Sequence, residues 1–225
     1  MTKRLKEYAQ PGFHFYLARE LSNLIPSLQN DTKILDVGCG TGAWLNRLGD
    51  LGFNNLCGID IDASKFAASK KKLLKRNIDW EDWNLNERFE LITAIEVLEH
   101  LENIGFFLNS ITRYLESNGY LLITTPNVHS LENRLCFLLF EQMPGFHDKG
   151  EPTHVYPLLI KAFTRLLPRY KLKIVKIWGY PATSNYRFPH FGNPRLLRYT
   201  SKLLKLSLPN NLYGDNLCLL IKNDQ

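Results

Sequence analysis

One run of seven residues, Asp36-Val-Gly38-Cys-Gly40-Thr-Gly42, constrains this chain more than any other feature. It closes the apolar stretch Lys33-Ile-Leu-Asp-Val37 and opens into a helix-like segment, Ala43 to Leu51, ended by Gly52. Three glycines at a strand-to-helix junction let the backbone approach a ligand that side chains would hold off. The surrounding sequence repeats the strand-then-helix pattern. Leu56 to Ile59, Leu91 to Ile95 and Tyr120 to Thr124 read as buried strands, and Ala63 to Lys75 and Asn103 to Leu115 as helices. A further short strand is expected near Ile78 to Trp80. Such βα units predict a doubly wound α/β sheet with helices on both faces, closed by the strands Leu172 to Trp178 and Leu217 to Ile221.

At 225 residues the chain suits one α/β core with elaborations, so a single domain over 1–225 is expected. After Pro126 the pattern loosens into an insert, residues 127–153, with an apolar helix-like piece from Leu131 to Phe140; this is a candidate lid. A helix is expected from Pro157 to Leu167. Residues 180–215 form a C-terminal elaboration in which Asn193 to Leu208 interleaves apolar residues with Arg195, Arg198, Lys202 and Lys205. That basic amphipathic helix would cover the sheet or cleft, or touch anionic lipid at a membrane surface. The four cysteines stand singly, the N-terminus has no apolar leader, and the longest apolar run, Leu135 to Phe140, is too short to span a bilayer. A cytoplasmic protein is the resulting expectation. The net charge of +6 is split between Lys70-Lys71-Lys72 and the C-terminal region, with no RNA-binding appendage, so nucleic acid is not the expected partner. The oligomeric state stays open.

The glycine loop alone has two readings. Gly38, Gly40 and Ala43, with Asp60 ending the next strand, also satisfy a nicotinamide-dinucleotide pattern. Asp36 separates the two: an acid two residues before the first glycine suits a cationic amino group and would repel a pyrophosphate.

Further segments then fall into a known order. Ile34-Leu-Asp-Val-Gly-Cys-Gly-Thr-Gly42 resembles the first motif of the class I methyltransferases that use S-adenosylmethionine (SAM). Gly58-Ile-Asp-Ile-Asp62 resembles their second motif, Phe89 to Glu102 their fourth-strand motif and Gly119 to Asn127 their fifth. The resemblance covers roughly residues 30 to 130, and some of its features are similar to the ubiquinone-pathway O-methyltransferases. It implies a Rossmann-like, seven-stranded, mostly parallel sheet with a terminal antiparallel strand. It also implies a SAM site built from Asp36, Gly38, Cys39, Gly40, Gly42, Asp60, Ile61, Ile95 and Glu96, with Asp60 on the ribose hydroxyls and Asp62 as a helix cap. For the adenine, relatives often carry Asp-Leu-Asn after the third strand, which places Asn84 and Leu85 there, with Asp82 as the alternative.

Glu96, Glu99 and His100 form an E-x-x-E-H group, and His154 lies in Pro152-Thr-His-Val-Tyr-Pro157. In two branches of the family similar residues hold a divalent metal. The expectation is therefore either a Glu96, Glu99, His100 and His154 site for Mg²⁺, Mn²⁺, Fe²⁺ or Zn²⁺, or a metal-free site in which His100 or His154 is the base. His129 and His147 are weaker base candidates. The reaction implied is O-methylation of a small-molecule or lipid-linked acceptor, yielding S-adenosylhomocysteine (SAH). RNA 2′-O-methylation is the runner-up. A SAM-binding protein without transfer activity and a nicotinamide-dependent oxidoreductase are readings from other classes.

Overall fold

The computed structural model describes residues 5–7, 9–68, 71–146, 151–180 and 214–225. Its centre is a seven-stranded sheet: β1 (Ile34–Val37), β2 (Leu56–Asp60), β3 (Lys72–Lys75), β4 (Phe89–Ile95), β5 (Leu115–Pro126), β6 (Leu172–Tyr180) and β7 (Asn216–Asn223). The order is β3-β2-β1-β4-β5-β7-β6. β1 to β5 pair in parallel, whereas β7 slots antiparallel between β5 and β6. The expected Rossmann-like architecture is thus present, with one reversed strand.

Strand alternation feeds a core on each face. Leu121, Ile123, Leu217, Leu219 and Ile221 point to one side, where α3 (Ile104–Tyr114) and α5 (Ile160–Leu166) supply Phe107, Leu108, Ile111 and Phe163. Leu122, Cys218 and Leu220 point to the other, against α1 (Phe13–Leu24) and α2 (Ala43–Asp50), which supply Phe13, Leu17, Leu21, Trp44, Leu45 and Leu48. Asn103 caps α3 by accepting from the Phe106 N–H at 3.1 Å, and Ser130 caps α4 (Leu131–Phe140) by accepting from the Asn133 N–H at 3.1 Å. Among the described residues, no helix is long and apolar enough to cross a membrane.

The expected helix Ala63 to Lys75 does not form. Asp62 caps only a 3₁₀ turn, Ala63–Lys65, through the Ser64 N–H at 3.0 Å, and Lys72–Lys75 becomes the edge strand β3. Pairing with β2 outweighs the helical propensity of the lysines, because extended backbone sends Leu73 to one core and Leu74 to the other. The strand expected near Ile78 to Trp80 is instead a turn, closed by the Glu81 N–H on the Asn77 carbonyl at 2.9 Å. Helix α1 was absent from the sequence-based expectation. The helix expected over 193–208 and His147 lie outside the described residues.

Candidate active site

Strand order reverses between β1 and β4, and a crevice opens there beyond the carboxyl ends of the strands, the usual ligand position in such sheets. The cavity measures about 670 Å³, within the range of small-molecule sites. Asp36, Gly38, Cys39, Gly40, Asp60, Ile61, Ile95, Glu96 and His100 all line it.

The glycine loop is held close by its backbone. The Gly38 and Cys39 N–H groups donate to the Ile59 carbonyl at 2.8 and 3.2 Å. Gly38 has φ +70°, and a Cβ there would lie 2.6 Å from Val97 Cγ2, so the position admits only glycine without displacement. Gly42 does not line the cavity; its φ is +78° and a Cβ would meet Ala68 Cβ at 2.5 Å, so it packs the loop against residues 66–68.

Two carboxylates face the cavity in different surroundings. Asp60 accepts from the Gly40 N–H at 2.7 Å and the Asp62 N–H at 2.8 Å, which fixes its orientation at the end of β2. Asp36 is buried and accepts from the Thr93 hydroxyl at 2.8 Å, while the Trp44 indole N–H donates to that same hydroxyl oxygen at 3.2 Å. Burial pushes the Asp36 carboxyl up to about 7, against the Thr93 hydrogen bond, and the nearby Asp60 charge adds to the rise. An ammonium group arriving beside Asp36 would reverse that shift.

Asn84 and Leu85, expected beside the adenine, do not line the cavity. Asn84 sits in a turn with φ +49°, its N–H donating to Asp82 Oδ1 at 3.0 Å. Asp82 in turn accepts from Tyr114 Oη at 2.8 Å and Arg113 Nη1 at 2.6 Å, which ties this turn to the end of α3. Asn77, Ile78, Asp79 and Trp80 line the cavity in its place. Asp79 anchors them by accepting from the Glu102 and Asn103 N–H groups at 2.9 and 3.0 Å.

Around His100, the member of the group that lines the cavity, Glu99, His100 and His154 come together, with one ligand atom from each within 4.8 Å of the others. The two imidazole rings meet edge to face at 4.7 Å. His154 Nδ1 lies 2.8 Å from the Gly145 carbonyl, and His100 Nδ1 lies 3.2 Å from the Thr153 carbonyl. A carbonyl only accepts, so His154 Nδ1 carries hydrogen, whereas the Thr153 hydroxyl, 2.9 Å from His100 Nδ1, can pair with either tautomer of that ring. Glu99 is fully buried, and neither carboxylate oxygen makes a hydrogen bond of good geometry; the unpartnered Thr125 hydroxyl lies beside it. Burial, then the neighbouring Glu96, raises its pKa well above the carboxylate range. Burial, then the His154 ring, lowers that of His100.

Glu96, the fourth ligand expected, lies outside this three-residue group. Its backbone turns left-handed at φ +55°, and its Oε1 accepts from the Thr124 hydroxyl at 2.8 Å. His129 is also used structurally: its Nε2 accepts from the Ile160 N–H at 3.0 Å.

A buried carboxylate and two imidazoles fit a divalent cation, since mixed oxygen and nitrogen donors suit several such ions. The glycine loop with two acids at the ends of β1 and β2 fits a nucleoside carrying an amino-acid end. Together the fold and cleft define a doubly wound α/β class with its ligand crevice at the strand-order reversal. The chain belongs to the methyltransferase domain family, whose model matches residues 7–177. It is 29% identical over 190 residues to the mitochondrial ubiquinone biosynthesis O-methyltransferase of Bos taurus, covering 78% of this chain and 50% of that one. A ubiquinone biosynthesis O-methyltransferase of Nitrobacter winogradskyi is 35% identical over 102 residues, covering 42% of this chain and 39% of that protein. The chain thus spans about half the length of its curated relatives or less. The fold is similar to a SAM-dependent methyltransferase of Archaeoglobus fulgidus, with TM-score 0.63, 19% identity, and 93% and 94% of the two chains covered. It is also similar to the plantazolicin methyltransferase BpumL solved with SAH, with TM-score 0.61, 20% identity, and 96% and 85% covered.

Proposed function

We propose that the chain is a SAM-dependent O-methyltransferase acting on a small or lipid-linked acceptor. The observation that carries this is one continuous cleft with Asp36 and Asp60 around the glycine loop and His100, of the Glu99-His100-His154 group, in the same lining. Asp36 would take the ammonium group of the cofactor and Asp60 the ribose hydroxyls. Ile61 and the Asn77 to Trp80 turn would border the adenine. Bound there, the cofactor supplies an electrophilic methyl group that an acceptor oxygen takes in line, leaving SAH.

The chain's own task is to align that oxygen and to manage its proton. The His100 and His154 imidazoles are the groups that would accept a proton, and burial favours the neutral form of His100. Glu99, His100 and His154 would also hold a divalent cation, which when bound lowers the pKa of a hydroxyl beside it. The relatives' names and the exposed run Phe137 to Phe140 on α4 favour an apolar or lipid-linked acceptor. Incubation with labelled SAM and a fractionated extract is expected to move label into an acceptor with oxygen-bound methyl. Label on nitrogen, carbon or RNA would contradict the reading.

Residues 127–153 are proposed as the lid. The segment is tethered to the site because the Gly145 carbonyl bonds His154, and the Phe146 ring lies 5.5 Å from that of His154. Amide hydrogen exchange across this segment is expected to slow several-fold when SAH and acceptor are both bound, and unchanged protection would reject closure.

A further inference from the structure

The cavity has a wall that the βα core does not supply. Helix α1 places His14 in the lining beside Asp36 and Trp44. His14 is only 6% exposed, and its Nδ1 is buried with no hydrogen-bond partner. Its ring lies 5.6 Å from that of Trp44, whose indole N–H bonds Thr93, which in turn bonds Asp36. A short packed chain thus runs from His14 to the carboxylate proposed for the ammonium group. Burial and the nearby Arg47 guanidinium hold His14 down to about 4, so the ring is neutral at physiological pH. A buried imidazole nitrogen without a partner is costly to keep, which a ligand bond would offset.

The amino-acid end of the cofactor has two opposite charges one carbon apart. Asp36 answers one of them. The other, a carboxylate, needs a donor in the same corner, where the Arg47 field favours an anion. A neutral donor provides this without placing a second full cation beside the sulfonium.

We propose that His14 determines cofactor selectivity by donating a ring N–H to the carboxylate of the cofactor's amino-acid end. This rests on the methyltransferase reading above. Calorimetry on the full chain would compare SAH with 5′-methylthioadenosine, which keeps the nucleoside and thioether but lacks that end. His14→Ala is expected to weaken SAH binding about tenfold or more and to leave 5′-methylthioadenosine binding within about twofold. His14→Asn or His14→Gln, which put an amide N–H near the Nδ1 or Nε2 position, is expected to recover most of the lost SAH affinity. Equal losses for both ligands would mean that His14 only packs α1, and would overturn the proposal. Undiminished SAH binding by His14→Ala, or no recovery by either amide, would overturn it too. A wild-type chain that binds neither nucleoside would instead overturn the cofactor reading, and this proposal with it.

Discussion

Glu99→Gln is expected to lower methyl transfer by at least about a hundredfold while SAH affinity stays within about twofold. The two effects separate because Glu99 does not line the cavity that holds the glycine loop, whereas His100 does. Glutamine keeps the shape of the side chain and removes the charge. Folding should tolerate the change, since Glu99 is buried without a bond of good geometry beside a second carboxylate that already disfavours its charged form. The melting temperature is therefore expected to hold or rise while turnover collapses, a combination that general destabilisation cannot produce. A chelator should reproduce the collapse in the wild-type chain, and added divalent cation should reverse it. Full activity of Glu99→Gln in chelator would reject a metal and return the base role to His100 or His154.

What the sequence disclosed depended on how local each signal was. The glycine loop carries its own meaning, because φ +70° at Gly38 and the close approach of Val97 are demands that few other residues meet. Strands β1, β4, β5 and β7 are buried on both faces and so read as plain apolar runs. β3 was hidden because a lysine-rich edge strand with two leucines has the composition of a helix, and only its pairing with β2 decides otherwise. The same ambiguity shifts the expected third strand toward Ile78 to Trp80, where the chain instead makes a turn that lines the cavity. Helix α1 was legible in principle, since Phe13, Leu17, Leu21 and Ile25 recur at helical spacing behind Gly12. What no pattern conveyed is that α1 brings His14 into the cleft, or that Glu96 bonds Thr124 and leaves the histidine group; both follow from tertiary packing.

The cofactor site itself yields the second large effect. Asp60→Ala is expected to weaken SAH binding by about 1 to 3 kcal/mol, because it removes an oriented carboxylate acceptor. It also strips the Gly40 N–H of its partner, which loosens the loop. Asp36 adds a pH dependence whose sign follows from its raised pKa of about 7. Below that value the free cleft holds a neutral carboxyl, which cannot pair with an ammonium group. As pH rises from about 6 to about 7.5 the carboxylate forms and SAH affinity is expected to increase, by at most about tenfold per unit, with a proton released on binding. Asp36→Asn should bind weakly and without this slope. The unliganded fold behaves in the opposite sense. The folded state binds the Asp36 proton more tightly than the unfolded state, so this group's contribution to stability declines as pH rises from about 4 to about 7.

The direct test of a SAM site over a nicotinamide site is calorimetric titration of the wild-type chain and of Asp36→Ala and Asp60→Ala with SAH and with NADH at pH 7.5. The expected result is saturable binding of SAH, weakened in both variants, and no comparable heat from NADH. Binding of NADH as tight as that of SAH, or normal SAH binding by both variants, would contradict the account.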